Sequence, residues 1–176
     1  MINYPVIVNT VKNHKKHKPI LLNYIEELKQ NSNTRYENID TDWALSKETK
    51  RNYLDYFYND VIEPTILEVG NQLGFNSKFN WHVGNSWFQQ YSEKETHNWH
   101  NHPNGQFTNC YFLELPDNKY KTEILGLDGQ IINYEANEGD VLTIPAWMRH
   151  RSPCNGKQTK TVIAFNTDYL YDYKTN

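Results

Sequence analysis

Cysteine is scarce: the 176 residues hold only Cys110 and Cys154. Two thiols cannot build the disulfide framework of a small secreted scaffold, so both are expected as reduced thiols of an intracellular protein. No apolar run is long enough to span a membrane. The N-terminal stretch MINYPVIVNTVKNHKKHK has too short an apolar run for a secretory signal, and its charges sit on the wrong side of that run. The expected location is therefore cytoplasmic. An excess of one charge is also missing. Eighteen Lys and Arg face 21 Asp and Glu, a net of -3, so no broad positive field invites nucleic acid. The basic run 12–18 is expected to be a solvated stretch before a helix. There is no internal repeat and no low-complexity linker, and a single domain over 1–176 is expected.

Aromatic residues, by contrast, make up 14% of the chain, with 13 Tyr and 5 Trp. They supply large apolar area with a polar tip, which suits a folded core in an otherwise polar chain. The pattern falls into two parts. In the first, 1–77, Pro19 opens an amphipathic helix carrying Ile20, Leu21, Leu22, Tyr24, Ile25 and Leu28. A polar, turn-rich stretch covers 31–42. A second helix is expected after Ser46, broken or kinked by Pro64, and a third ends near Gly74 as its C-terminal cap. From Lys78 the pattern changes to short runs between turns. Strands are expected at 80–83, 86–91, 107–115, 122–127, 130–134, 140–144 and 159–165, with Asp128-Gly129 as a hairpin turn. Many short strands point to a barrel over 78–170, a double-stranded β-helix of jelly-roll or cupin type, with the helices on its outer face.

Seven histidines are present. His14 and His17 belong to the basic run and are expected to face solvent, while His82 is expected to be packed within a strand. Three more cluster in His97-Asn98-Trp99-His100-Asn101-His102-Pro103. The last, His150, follows Gly139-Asp140 and Pro145. Residues two apart on a strand share a face, so His100 and His102 can both point into a barrel; on a helix they would diverge. His150, on the short extended piece after Pro145, is the candidate third ligand of a metal site with positions left open. A lone His-x-His is most simply a polar loop; the downstream Gly-Asp and His segment is what favours the metal reading. His97 is out of phase with the pair and is placed behind the ligands or at the surface. Trp99, Phe107, Tyr111 and Trp147 could wall a substrate, but each is more simply read as core.

Alternation in the last strand puts Lys160, Val162, Ala164 and Asn166 on the inner face, with Thr161, Ile163 and Phe165 facing the helices. A lysine inside a barrel is costly unless it meets an anion, and a dicarboxylate would provide one.

Three segments together, Trp99-His100-Asn101-His102-Pro103 leading into 107–116, Glu138-Gly139-Asp140 to Arg149-His150, and Lys160 to Asn166, resemble the 2-oxoglutarate/Fe(II)-dependent dioxygenase superfamily, in a branch of bacterial and phage proteins. The resemblance covers roughly the C-terminal half. It implies an oxygenase with Fe(II) and 2-oxoglutarate as cofactors, hydroxylating a substrate of undefined class, a protein or peptide among the options. His100 would be the first iron ligand, His102 would take the usual carboxylate position, and His150 would be the distal histidine. Lys160 would grip the far carboxylate of 2-oxoglutarate, with Tyr91 and Asn166 as further cosubstrate contacts. The imidazole of His102 leaves the metal one unit more positive than a carboxylate would. Lysine replaces the more usual arginine fork by a compact charge.

Two alternatives stay open. One is a cupin-type metalloenzyme without 2-oxoglutarate, a three-histidine dioxygenase or an isomerase; here the usual motif glycine is replaced by Lys94, and the usual glutamate has no counterpart, Gln106 being nearest. The other is a non-catalytic metal-binding barrel. A homodimer is allowed by this architecture, but no segment stands out as an interface.

Overall fold

The structure, a computed structural model, describes residues 5–75 and 79–171. The expected change of texture at Lys78 falls outside the described residues. In chain order the elements begin with β1 (Ile7–Thr10), α1 (His14–Asn31), β2 (Arg35–Tyr36) and β3 (Ile39–Thr41). One helical rod then contains α2 (Asn52–Tyr56), a π-helical stretch (Phe57–Ile62) and α3 (Glu63–Gln72). The remaining strands are β4 (Phe79–Tyr91), β5 (His97–His100), β6 (Phe107–Glu114), β7 (Glu123–Ile124), β8 (Asp140–Pro145), β9 (His150–Ser152) and β10 (Lys160–Tyr171).

Seven strands form a large antiparallel sheet in the order β1-β8-β6-β10-β4-β3-β2; three form a small one, β5-β9-β7. These are the two walls of a double-stranded β-helix. The first 77 residues are thus not purely helical. β1 extends the large sheet by pairing with β8, and β3 pairs with β4 inside the stretch expected to be polar and turn-rich. Strands of two to four residues leave too few alternations to register as a pattern.

The helices cover the outer face of the large sheet. Leu21, Ile25, Leu28, Phe57, Val61, Ile62, Ile66 and Val69 pack on Phe88, Tyr111, Ile163 and Phe165. Each fully buried apolar side chain of this size stabilises the fold by roughly 1.5–3 kcal/mol. The opposite face of β10 and its neighbours, with Tyr91, Phe112, Leu142, Ile144 and Val162, fills the space between the sheets. Alternation along β10 therefore separates helix-facing Ile163 and Phe165 from cavity-facing Val162 and Ala164.

Several local expectations are corrected. α1 starts at His14, not Pro19, and takes in the basic run from His14 to Lys18. Pro19 is tolerated because the carbonyl it leaves unpaired, that of Lys15, belongs to an exposed residue. His17 is buried, with Nδ1 at 2.8 Å from the Tyr56 hydroxyl, and His14 meets the Tyr111 hydroxyl at 2.7 Å, so neither faces solvent. His82 is exposed rather than packed. The second helix begins at Asn52, and Pro64 does not break it; the π-helical turns precede Pro64 and rearrange the ladder ahead of the missing N–H. Gly74, at φ 86, closes α3: its N–H donates to Asn71 O, and that of Phe75 to Gly70 O, the two bonds of a Schellman cap. The segments expected as strands at 122–127 and 130–134 reduce to β7 and one bridge, Leu125 with Ile131, around the Asp128-Gly129 turn.

Candidate metal and cosubstrate site

His100 is the last residue of β5, and His150 the first of β9. The two stand directly opposite each other in the antiparallel register, with ring centroids 4.4 Å apart. His102 is not on the strand. β5 stops at His100, and the register shifts between His97 and His100. The backbone N–H of His102 instead donates to Ala146 O at 2.8 Å, which turns its ring back toward the pair. Ligand atoms of the three imidazoles lie within 4.8 Å of one another, the only such cluster of three found among the described residues.

The hydrogen bonds set which nitrogen is free. Nδ1 of His100 faces Asn98 O at 2.8 Å, Nδ1 of His150 faces Met148 O at 3.0 Å, and Nδ1 of His102 faces Oδ1 of Asn166 at 2.7 Å. Each partner is an oxygen that only accepts, so each Nδ1 carries the proton and each Nε2 presents its lone pair. Burial lowers the pKa of all three rings. His150 is pushed down to about 3 by burial and then by His100, and His100 and His102 fall mainly through burial. The rings are thus neutral ligands near neutral pH, the form a metal needs. The donor set fits a divalent transition metal such as Fe(II) or Zn(II).

His97, ranked behind the ligands from sequence, has its ring 4.2 Å from that of His100, and its Nδ1 accepts from Gln89 Nε2 at 3.1 Å. Burial, then His100 and His102, push its pKa down to about 4.

Lys160 opens β10 and stands opposite Tyr91 of β4. It is only 1% exposed. Its Nζ donates to Tyr120 O at 2.6 Å and to Ser152 Oγ at 2.8 Å, and lies 5.0 Å from the centre of the Tyr91 ring. Neither hydrogen-bond acceptor is charged, and burial pulls the pKa down to about 8. Lys160, Tyr91, His100, His102 and His150 line one narrow cavity of about 30 Å³. Tyr91 is buried there, its hydroxyl donating to Gln89 Oε1 at 3.0 Å. Asn166, expected as a cosubstrate contact, instead spends its amide oxygen on His102. It sits where β10 and β4 slip out of register between Phe165 and Thr167.

A second, wider cavity of about 320 Å³ opens from His100 and His102 to the surface. Trp87 and Trp43 wall it; none of the four aromatic candidates from the sequence lines it. Phe107 and Tyr111 pack on the helix side, Arg151 stacks over Trp99, and Trp147 is half exposed. Trp87 and Gln89 were readable in principle: they alternate with Tyr91 on one strand and so share its inner face. Trp43 was not, because it lies in a loop. Lys94, standing where the cupin motif carries glycine, holds φ 66, the left-handed conformation that glycine adopts freely.

No protein-family model matches the chain, and no curated protein is similar to it in sequence. Solved structures are similar in fold. A 2OG-Fe(II) oxygenase family oxidoreductase from Burkholderia pseudomallei matches 70% of this chain with TM-score 0.56 and 10% identity; the chain spans 60% of that protein's length. A prolyl hydroxylase in complex with a hypoxia inducible factor peptide fragment, from Trichoplax adhaerens, matches 98% of this chain and 86% of its own with TM-score 0.63 and 12% identity. The non-heme alpha ketoglutarate dependent epimerase SnoN from nogalamycin biosynthesis matches 96% of this chain and 78% of its own, with TM-score 0.67 and 12% identity. The protein therefore has the double-stranded β-helix fold of the 2OG-Fe(II) oxygenases, with a three-histidine cluster at the mouth of the barrel. The same fold carries a hydroxylase and an epimerase, so the fold alone does not select the reaction. These neighbours come from unlike sources and give no support to a bacterial or phage branch.

Proposed function

We propose that the protein is a non-haem Fe(II) and 2-oxoglutarate-dependent oxygenase, with hydroxylation as its reaction. The observation that carries this reading is a buried lysine whose two hydrogen-bond acceptors are uncharged, in the same cavity as three imidazoles whose Nδ1 atoms are hydrogen-bonded and whose Nε2 atoms are left to a metal. A buried ammonium is costly, and the cost has a use if a carboxylate completes the site.

His100, His102 and His150 would hold the iron on one face. Lys160 would pair with the distal carboxylate of 2-oxoglutarate, and Tyr91 would pack along its chain. When bound, Fe(II) and 2-oxoglutarate supply oxygen activation coupled to oxidative decarboxylation. The protein's own part is to fix and exclude. Asn98 O, Met148 O and Asn166 Oδ1 lock the ring orientations. The apolar side chains of Leu142, Ile144, Val162 and Ala164 keep bulk water from the inner cavity. The wider cavity leads substrate to the side of His100 and His102 that faces out. Retention in the cytoplasm belongs to the same proposal; no helix among the described residues is long and apolar enough to cross a membrane.

A second reading, a three-histidine metalloenzyme that does not use 2-oxoglutarate, is favoured by the neutral His102 and by the narrowness of the inner cavity, about 30 Å³. One experiment separates the two. The apo-protein is loaded anaerobically with Fe(II), and 2-oxoglutarate is added. A visible metal-to-cosubstrate charge-transfer band supports the first reading; stoichiometric iron binding with no band supports the second.

A further inference from the structure

The wider cavity has an unusual charge inventory. Its lining contains no lysine and no arginine, and Glu37 is its one carboxylate. The nearby Arg35 is already paired with Glu95 at 2.6 Å and Asp40 at 3.9 Å. The outer wall also carries the aromatic Tyr36 and Trp43, the amides of Asn38, Asn85 and Asn104, and the uncharged Ile39, Thr41, Thr96 and Pro103. Tyr36 and Trp43 are 44% and 52% exposed, so their rings are open to a ligand. Trp43 meets Trp87 at 4.5 Å between centroids and 72° between planes, so the two indoles form a corner beside the metal cluster.

Glu37 carries a second, independent signal. It occupies the turn between β2 and β3 with φ 51, the left-handed conformation that favours glycine or asparagine. A glutamate there costs roughly 1 kcal/mol that a glycine would not. Among the described residues its carboxylate makes no salt bridge, the adjacent Arg35 being turned to Asp40 and Glu95 instead. A strained residue kept at the rim of a cavity points to use of its side chain.

An anion meets no lysine or arginine among the lining residues, only neutral amide and hydroxyl donors, and it faces Glu37. A cation gains on two counts: attraction to Glu37, and contact with the negative faces of exposed indole and phenol rings. We infer that the substrate is cationic, an ammonium, alkylated ammonium or guanidinium group whose charge sits against Trp43 and Glu37. This inference rests on the proposed substrate route through the wider cavity. Two sources supply that chemistry, a free amine and a lysine or arginine side chain in a peptide.

The test is a titration of tryptophan fluorescence in full-length protein with three uncharged-backbone probes: Nα-acetyl-lysine methylamide, the norleucine analogue of the same shape, and the glutamate analogue. The lysine probe should bind and the glutamate probe should not. Glu37→Gly should weaken the lysine probe about fivefold and Trp43→Ala about tenfold. Glu37→Gly relaxes the turn, so its melting temperature should be equal to or above wild type, which separates lost affinity from lost folding. A lysine-containing tripeptide that binds more tightly than the single residue identifies a peptide source, and equal binding a free amine. Equal binding of lysine and norleucine probes, or unchanged affinity in Glu37→Gly, overturns the inference. The charge-transfer band with 2-oxoglutarate is recorded on the same samples. A normal band with no cation binding removes this inference alone, whereas cation binding without a band removes the cosubstrate reading alone.

Discussion

Nδ1 of His102 donates to Oδ1 of Asn166, 64 residues further along the chain, across 2.7 Å. This bond joins the one candidate ligand that stands on a loop to the large sheet. His100 and His150 are set by strand pairing; His102 depends on Ala146 O, on Asn166 and on the Trp87 ring 5.4 Å away. The acceptor is neutral, so a neutral imidazole rests on a neutral support.

Asn166→Ala should weaken binding of Co(II), used as a visible-absorbing stand-in for iron, by about 10- to 100-fold. Asn166→Asp should tighten it, because a carboxylate acceptor makes the His102 ring a stronger donor to the metal. Titration of the Co(II) absorption bands gives both affinities. Equal affinities in all three proteins would show that Asn166 does not support the metal.

Lys160→Met removes a buried charge and roughly keeps its volume. The loss of bonds to Tyr120 O and Ser152 Oγ is offset by relief of ammonium burial. Urea unfolding should therefore stay within about 1 kcal/mol of wild type, while the charge-transfer band with 2-oxoglutarate disappears. A folded variant destabilised by about 3 kcal/mol or more that still shows the band would reverse the roles assigned to this lysine.

Cosubstrate binding should depend on pH through the same residue. Burial holds Lys160 at about 8, against 10.5 for an ordinary lysine. A bound carboxylate favours the ammonium and raises that value. Affinity for 2-oxoglutarate is then full below about 8 and falls as pH rises above it, by up to about tenfold per unit until the complex also loses its proton. Stability of the cosubstrate-free protein moves the other way. Between about 8 and 10.5 the unfolded chain binds the proton that the folded chain has released, so stability rises with pH. Titration calorimetry checks the first slope, and urea midpoints across the range check the second.

Asp42 anchors the loop that carries Trp43. Its carboxylate is fully enclosed and accepts from Arg51 Nε at 2.7 Å, the Tyr53 hydroxyl at 2.7 Å and the Phe88 N–H at 2.9 Å. Burial is the main influence raising its pKa, against the lowering effect of those bonds. Asp42→Ala strips all three donors of their partner and should cost about 3–5 kcal/mol, read from the shift in urea midpoint. A loss below 1 kcal/mol would show that the loop is held otherwise.

Much of the site could be read along the chain because the signals are local or periodic. Alternation in β10 separated Lys160 from Ile163 and Phe165, and period-2 logic needs only consecutive residues. The histidines could be grouped by type and spacing. Strand alternation does not bring in His102: its ring arrives through a bond from a loop to Ala146 O. His17 and His82 exchanged their expected environments, because a basic run can lie on a helix and a strand residue can face water; their own neighbours in sequence do not decide either.

By itself the sequence determined the strand-rich half, the outer-face helices, the inward lysine and the three imidazoles that could share a metal. These follow from periodicity and side-chain chemistry, which are properties of short stretches. Only the tertiary structure decided that β1 and β3 extend the large sheet, that Asn166 supports His102, and that Trp43, Trp87 and Glu37 share one cavity. Those contacts join residues tens of positions apart, and no local preference records them. They exist because closing the two sheets on each other buries one common core.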